Sequence, residues 1–437
     1  MLDKLFGRRR QAPPEPVISF GRYSDNNKPV RQVTRWTDAD TLFREGRLAE
    51  SLDAFFDYIR DDAQQNVQYE RTGDGGRFQV FQGSKVVRGH HDTKRLEAEV
   101  TLARMPRPSV PVMRRLLEMN FSLYYSRFAL QEDRLCMRFD TDLATANPSK
   151  LYYGLKELAT KADRQDDLLV QDFAVLEAAD TDHVQELPPA EKEVKFRYLQ
   201  DWIAQTLQLT GDLDPDKFAG AISHLLLSLA FRIDFLLVPV GRLQRDLDHL
   251  AELFFIKDER PLQEKNRDMA EVLRTWQSLA PAELYRCLQR ARYTFAGVQP
   301  QPYKVVAEAL YSAHQDAAWF RDNNYPEVAR GLCEYGIAYC QYAYSLPRPV
   351  TDLLELLMRV CYSDFFADLG FAARYYEPAT GAFAGEAIAS RIRAIQETWQ
   401  EKFPQFQFRV DNLRYDNLLH FIFSFTNELE LLQLETA

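Results

Sequence analysis

The hydrophobic period of this chain changes once, and that change limits the folds open to it. Up to about residue 180, short alternating runs separated by turn residues are frequent; from Val194 onward, apolar residues recur at helical spacing. Alternation suits strands whose two faces differ, and the longer period suits helices with one buried stripe. A chain of 437 residues also exceeds what one hydrophobic core usually holds. The expected fold class is therefore an α+β N-terminal domain, an antiparallel sheet with flanking helices, followed by an all-α C-terminal domain, predominantly helical in total.

Composition shifts set the expected boundaries. Residues 1–30 read as a basic, disordered tail, because Pro13, Pro14 and Pro16 stop a helix and Ser24-Asp25-Asn26-Asn27 is loop chemistry. Residues 1–35 carry eight Lys/Arg against three acids, so +5 sits here and −15 on the rest of a chain whose net charge is −10. That acidic balance argues against nucleic acid as a partner. Leu2, Leu5 and Phe6 before Arg8-Arg9-Arg10 give residues 1–10 the pattern of a peripheral contact with an anionic membrane, and Met1–Arg10 lacks the apolar run of a secretory signal. The α+β domain is assigned to 31–178, a linker to 179–191 around Pro188-Pro189, and the helical domain to 192–437.

Within the first domain, Thr37 to Asp61 reads as a helix pair broken at Gly46, with Thr37 as the N-cap. Asn66–Glu70, Arg77–Val87 and Leu96–Ala103 read as strands, with a turn at Gly73-Asp74-Gly75-Gly76. A helix over Ser109–Met119 precedes a hairpin of Phe121–Leu130 and Arg134–Thr141, and a long helix opens at Pro148. The second domain holds some eight to ten helices between proline breaks, a short strand at Gln405–Val410 and a last helix over Asp416–Leu432. Its most apolar run, His224–Val238, contains Arg232 and Asp234. It falls short of the ~20 apolar residues that span a bilayer, so a buried core helix is expected and no transmembrane segment.

No phosphate loop, dinucleotide fingerprint, nucleophile elbow or H-E-x-x-H motif occurs. The five cysteines form no C-x-x-C pair and read as free thiols of a reducing, cytoplasmic compartment. His90 and His91 are adjacent in a strand and point to opposite faces, which suits no chelate. No catalytic, cofactor or metal residue is assigned. Two groups remain. His224, Arg232 and Asp234 form a candidate pocket, because charged neighbours two apart on a helix do not face each other and each needs another partner. Gln82, Ser84 and Lys85, in a turn or bulge with Gly83, read as a contact loop, joined by Tyr124, Arg127 and Arg138 of the hairpin as candidate partner-binding residues.

Met113-Arg-Arg-Leu-Leu-Glu-Met-Asn120, Phe128-Ala-Leu-Gln-Glu-Asp-Arg-Leu-Cys-Met-Arg-Phe139 and Leu151–Asp163 form a helix, hairpin and helix that resemble the YbjN-like and type III secretion chaperone-like fold. The resemblance extends over about residues 37–173 and leaves the helical domain unrecognised. It implies a non-catalytic protein-interaction protein, an adaptor or chaperone-like factor, that binds a partner protein through the α+β domain. Exposed sheet edges of that fold accept extended segments, and many members dimerise, so a homodimer is one expectation. The basic tail and the large helical domain depart from the compact secretion chaperones. Two alternatives stay open: a ligand-binding protein or enzyme with its pocket in the helical domain, and an assembly component docking through the basic tail.

Overall fold

The computed structural model describes residues 15–25 and 28–435. Helices α1 (Val30–Arg44) and α2 (Leu48–Ile59) lead into the strands β1 (Val67–Thr72), β2 (Gly75–Gln82), β3 (Lys85–His91) and β4 (Arg95–Arg104). Helix α3 (Val110–Asn120) follows, then β5 (Arg127–Gln131), β6 (Arg134–Asp142) and the long α4 (Pro148–Asp172). The strands form one antiparallel sheet in the order β1-β2-β3-β4-β6-β5, and the short β7 (Glu177–Ala178) pairs with the far end of β4. Along β4, Leu96, Ala98, Val100 and Leu102 are buried while Glu97 and Glu99 point away, the alternation a one-sided sheet requires. On the buried face Leu151, Leu155, Leu158 and Ala162 of α4 share a core with Phe78, Val80, Val87, Met137 and Phe139. On the other face Arg127, Arg138, Glu99 and Arg88 stand in one row across four strands.

Three element bounds differ from the sequence expectation. Helix α1 starts at Val30, with Pro29 and not Thr37 before it, because proline lacks the N–H that would continue the helix backwards. The run 77–87 is two strands, folded back at Gly83-Ser84. Residues 121–126 are a loop, although their aromatic content imitates a strand.

From Pro189 the chain is helical: α5 (Pro189–Gly211), α6 (Ala219–Leu237), α7 (Gly241–Phe255), α8 (Leu262–Gln277), α9 (Pro281–Tyr285), α10 (Tyr303–Asp322), α11 (Pro326–Ala343), α12 (Arg348–Cys361), α13 (Ser363–Asp368), α14 (Gly385–Trp399) and α15 (Leu418–Glu430). That is eleven helices among the described residues, one more than the expected range, since α9 and α13 are single short turns. The expected strand at Gln405–Val410 is absent, and Phe406 and Phe408 serve as core plugs from an irregular segment. Helix α6 is long and apolar enough to cross a membrane by composition, yet 83% of its apolar window is buried inside the protein. It separates two cores, one shared with α5, α7 and α8 and one with α10 to α12, α14 and α15.

The two halves interlock. Residues 1–14 of the expected tail, with the proposed membrane contact at 1–10, lie outside the described residues. Residues 15–25 are no free tail: Phe20 belongs to the core around α6, and Arg22 pairs with Asp234. Conversely, the loop before α10 sends Phe295 into the α+β core, where it is 1% exposed. The expected linker is also laid down on the fold, with Asp180 paired to Arg88 and Gln185-Glu186 laddered to Gln289-Arg290. Substituting Phe295→Ala is expected to cost about 3–5 kcal/mol by cavity formation. A urea unfolding series on the full chain checks it, and an unchanged midpoint would count against this docking.

Candidate functional site

The turn at Gln82–Lys85 is built to hold, and what it holds is the same chain. The Gln82 carboxamide donates to the Phe295 carbonyl (3.2 Å) and accepts the N–H groups of Thr294 (3.2 Å) and Phe295 (3.0 Å). Gly83 has φ +56° and lies against α4, where a Cβ would fall 1.9 Å from the Asp163 carboxylate. Ser84 donates its N–H to Asp163 (2.8 Å) and its hydroxyl to Asp166 (2.7 Å). Lys85, 1% exposed, donates to the Ala179 carbonyl (2.8 Å) and pairs with Asp166 (3.2 Å). Gln82, Ser84 and Lys85 are thus not free for an outside partner. Sequence reasoning recognised a contact loop and could not see that its contact is internal.

Asp163, Asp166 and Asp167 follow one another on the same stretch of α4. Burial pushes Asp163 up to about 7; the Ser84 hydrogen bonds oppose this and the charge of Asp166 adds to it. A raised carboxyl favours the folded state most at low pH and loses that contribution as pH rises through about 7. Asp163→Asn keeps the oxygen that accepts from Ser84 and removes the charge. It is expected to raise the urea midpoint most at pH 8, and by progressively less as pH falls from about 7 towards the unfolded carboxyl value of about 3.9.

His224, Arg232 and Asp234 do not converge, although all three lie on α6. Arg232 is bound by Glu334 of α11, whose carboxylate also takes the Tyr362 hydroxyl. Asp234 takes the guanidinium of Arg22. His224 stacks on Tyr335, ring centroids 4.4 Å apart, and burial lowers its pKa. Each group has a separate partner, as neighbours two apart on a helix must.

The remaining candidates gather at the free edge of the sheet. β5 has β6 on one side only. A two-residue turn, Glu132-Asp133, closes the pair Gln131–Arg134, so Phe128 and Leu130 turn their backbone polar groups away from β6. The Phe128 N–H is taken by the Asn120 side chain (2.9 Å), while Leu130 faces outward. Arg127 pairs with Asp140 (2.5 Å) and Arg138 with Glu99, forming a charged rim on the open face. Beside the edge, Phe121 is 94% and Tyr124 92% exposed, with Leu117 one helical turn before Phe121 also exposed.

These aromatics are exposed on a loop that is tightly held. Glu157 of α4 accepts the N–H groups of Tyr124 (2.8 Å), Tyr125 (2.9 Å) and Ser126 (2.8 Å), and the Ser126 hydroxyl (2.7 Å). Burial raises the Glu157 pKa, but these four donors outweigh it and hold the carboxyl below its usual range. Glu157, Phe121 and Leu117 were not singled out from the sequence. The only available signal, a cluster of aromatics between a helix stop and a strand, reads equally well as the strand itself.

Among the described residues, no group of three or more His, Cys, Asp or Glu is placed to hold a metal ion. No family model matches the chain, and no curated protein matches it significantly. The E157Q variant is expected to loosen the loop by about 1–3 kcal/mol, the worth of hydrogen bonds to a charged acceptor. Amide exchange at Tyr124–Ser126 would report this, with the global midpoint little changed. In the unsubstituted protein the clamp is present above the unfolded carboxyl pKa of about 4.3 and is lost as pH falls through the lower folded value.

Proposed function

We propose that this protein is a non-catalytic adaptor or chaperone-like factor that takes an extended segment of a partner protein along β5. The supporting observation is the pairing of a free strand edge with two aromatics that are nearly fully exposed on a clamped loop. An edge strand offers unpaired backbone groups, and an added strand uses them while alternate side chains fill flanking sites. Rigid exposed aromatics supply large contact area with little ordering cost, the character of interface anchors. Arg127 and Arg138 at the rim, each already paired with a carboxylate, would offer the segment only their remaining N–H donors. The chaperone-like fold of the resemblance is consistent with this use of the edge. The ligand-pocket alternative loses its footing, because His224, Arg232 and Asp234 are committed to separate partners. We place the protein in the cytoplasm, where its five unpaired thiols would stay reduced.

The test is affinity capture of three tagged full-length proteins from native cells. They are the unsubstituted chain, a Phe121→Glu/Tyr124→Glu pair, and a Gln68→Glu control on the opposite sheet edge. A stoichiometric partner whose recovery falls about tenfold or more in the aromatic pair, and persists in the control, supports the edge as the binding site. Identical capture by all three would reject it.

A further inference from the structure

Residues 15–24 precede the α+β half in sequence and have no secondary structure of their own; Phe20, Arg22 and Ser24 are seated in the helical half, and the next residue, Asp25, accepts the Tyr152 hydroxyl of α4. They are held as a bound peptide is held. Phe20 inserts among Phe235, Phe366 and Phe371, with ring centroids 6.4, 5.0 and 5.9 Å away. Gly21 donates its N–H to the Phe235 carbonyl (2.8 Å) at φ +71°, and a Cβ there would lie 2.7 Å from the Phe235 ring. Arg22 forks onto Asp234 through Nε (2.9 Å) and Nη2 (2.8 Å), and Nη2 also reaches Asp248 (3.0 Å). Its guanidinium stands 4.2 Å over the Tyr342 ring, whose hydroxyl donates to Asp248 (2.7 Å). The Ser24 hydroxyl meets that of Ser345 (2.8 Å) and donates to the Leu346 carbonyl (2.9 Å).

The polar receptor groups and the ring under Arg22 come from four separate places: Asp234 on α6, Asp248 on α7, Tyr342 on α11, and Ser345-Leu346 beyond it. Asp234 is 5% exposed, and among the described residues Arg22 is the cation paired with it. A buried carboxylate without its partner costs several kcal/mol, about 3–5 when one side of a pair is removed. The groove therefore requires a cation at that point. Two parallel N–H bonds to one carboxylate, with a ring face beneath the plane, select guanidinium over ammonium. An aromatic pocket, a position where only glycine fits, an arginine cradle and a hydroxyl site follow one another along the groove. That is the layout of a linear-segment receptor.

We propose that this groove is a peptide-binding site for segments of the pattern aromatic-Gly-Arg-x-Ser, occupied in cis by residues 20–24. A partner segment of that pattern displaces the chain's own. The cis segment competes at an effective concentration in the millimolar range, so a free peptide gains the groove mainly when the cis anchor is weakened. This site is distinct from the β5 edge and does not depend on partner binding there.

The test uses full-length protein and a fluorescein-labelled synthetic peptide carrying the sequence of residues 15–25, read by fluorescence anisotropy. The peptide is expected to bind the R22A chain at least about tenfold more tightly than the unsubstituted chain, because the cradle is vacated. A peptide with lysine in place of the arginine should lose about tenfold or more, and D234N in the R22A background should abolish binding. Because R22A leaves Asp234 unpaired, Phe20→Ser is made in parallel: it weakens the cis segment and keeps the ion pair, and it too should gain peptide binding. Folded variants that bind no peptide would overturn the proposal, and so would loss of cooperative unfolding in both, since either result makes the segment an integral part of the core. Equal binding of the arginine and lysine peptides would overturn the assigned chemistry.

Discussion

Phe295 completes a core built mainly by residues far earlier in the chain, and the arrangement of both halves depends on that insertion. The loop that carries it is received by Gln82, 213 positions earlier, through three hydrogen bonds to the backbone of Thr294 and Phe295. The Thr294 hydroxyl adds a bond to the Phe81 carbonyl (2.8 Å), and the Arg292 guanidinium lies 3.3 Å over the Phe81 ring. A buried loop carries backbone groups that water no longer satisfies, and the Gln82 side chain supplies what is missing. The β2–β3 turn is consequently a fixed joint between the sheet and the helices. In the opposite direction, Phe20 and Arg22 of the N-terminal strap, residues 15–25, are seated in the helical half while Asp25 holds the Tyr152 hydroxyl of α4, so the strap joins both halves.

The buried cations Arg232, Arg22 and Lys85 each meet a carboxylate, and Arg22 meets a second, Asp248. Arg232 has Glu334, Arg22 has Asp234 and Lys85 has Asp166. Such pairs are weak sources of stability, since desolvation consumes most of the Coulombic gain, but each is costly to break. They act as addresses: a helix or strap shifted by one turn would strand a charge in apolar surroundings. The cluster Asp163-Asp166-Asp167 holds more carboxylates than Lys85 can neutralise, and burial there pushes Asp163 and Asp167 upward.

The sheet edge follows a different logic. Natural edge strands are usually shielded by charge, brevity or a covering element. β5 is short and rimmed by arginines, which fits that pattern, yet the Glu157 clamp holds Tyr124 out into solvent beside the exposed Phe121 that ends α3. The clamp uses a side chain that could have paired with a lysine on its own helix, and uses it to order a loop that buries little of itself.

The sequence by itself determined the fold class, because strand alternation in β4 and the helical stripe of α4 are local patterns with one economical reading. It also determined that Arg232 and Asp234 must find partners off their own helix, since positions two apart diverge by geometry. It did not determine those partners. Glu334 and Arg22 lie 102 and 212 positions away, and only the packing of α6 against α11 and the strap brings them within reach. The same holds for the turn at Gln82–Lys85, whose local chemistry announces a contact but not with what, and for Phe121 and Tyr124. The aromatic content of their run imitates a strand until Glu157, from a helix formed later in the chain, captures three successive N–H groups and makes it a loop. Local spacing fixes which face a side chain takes; which group meets it there is decided by the long-range packing that sequence periodicity does not encode.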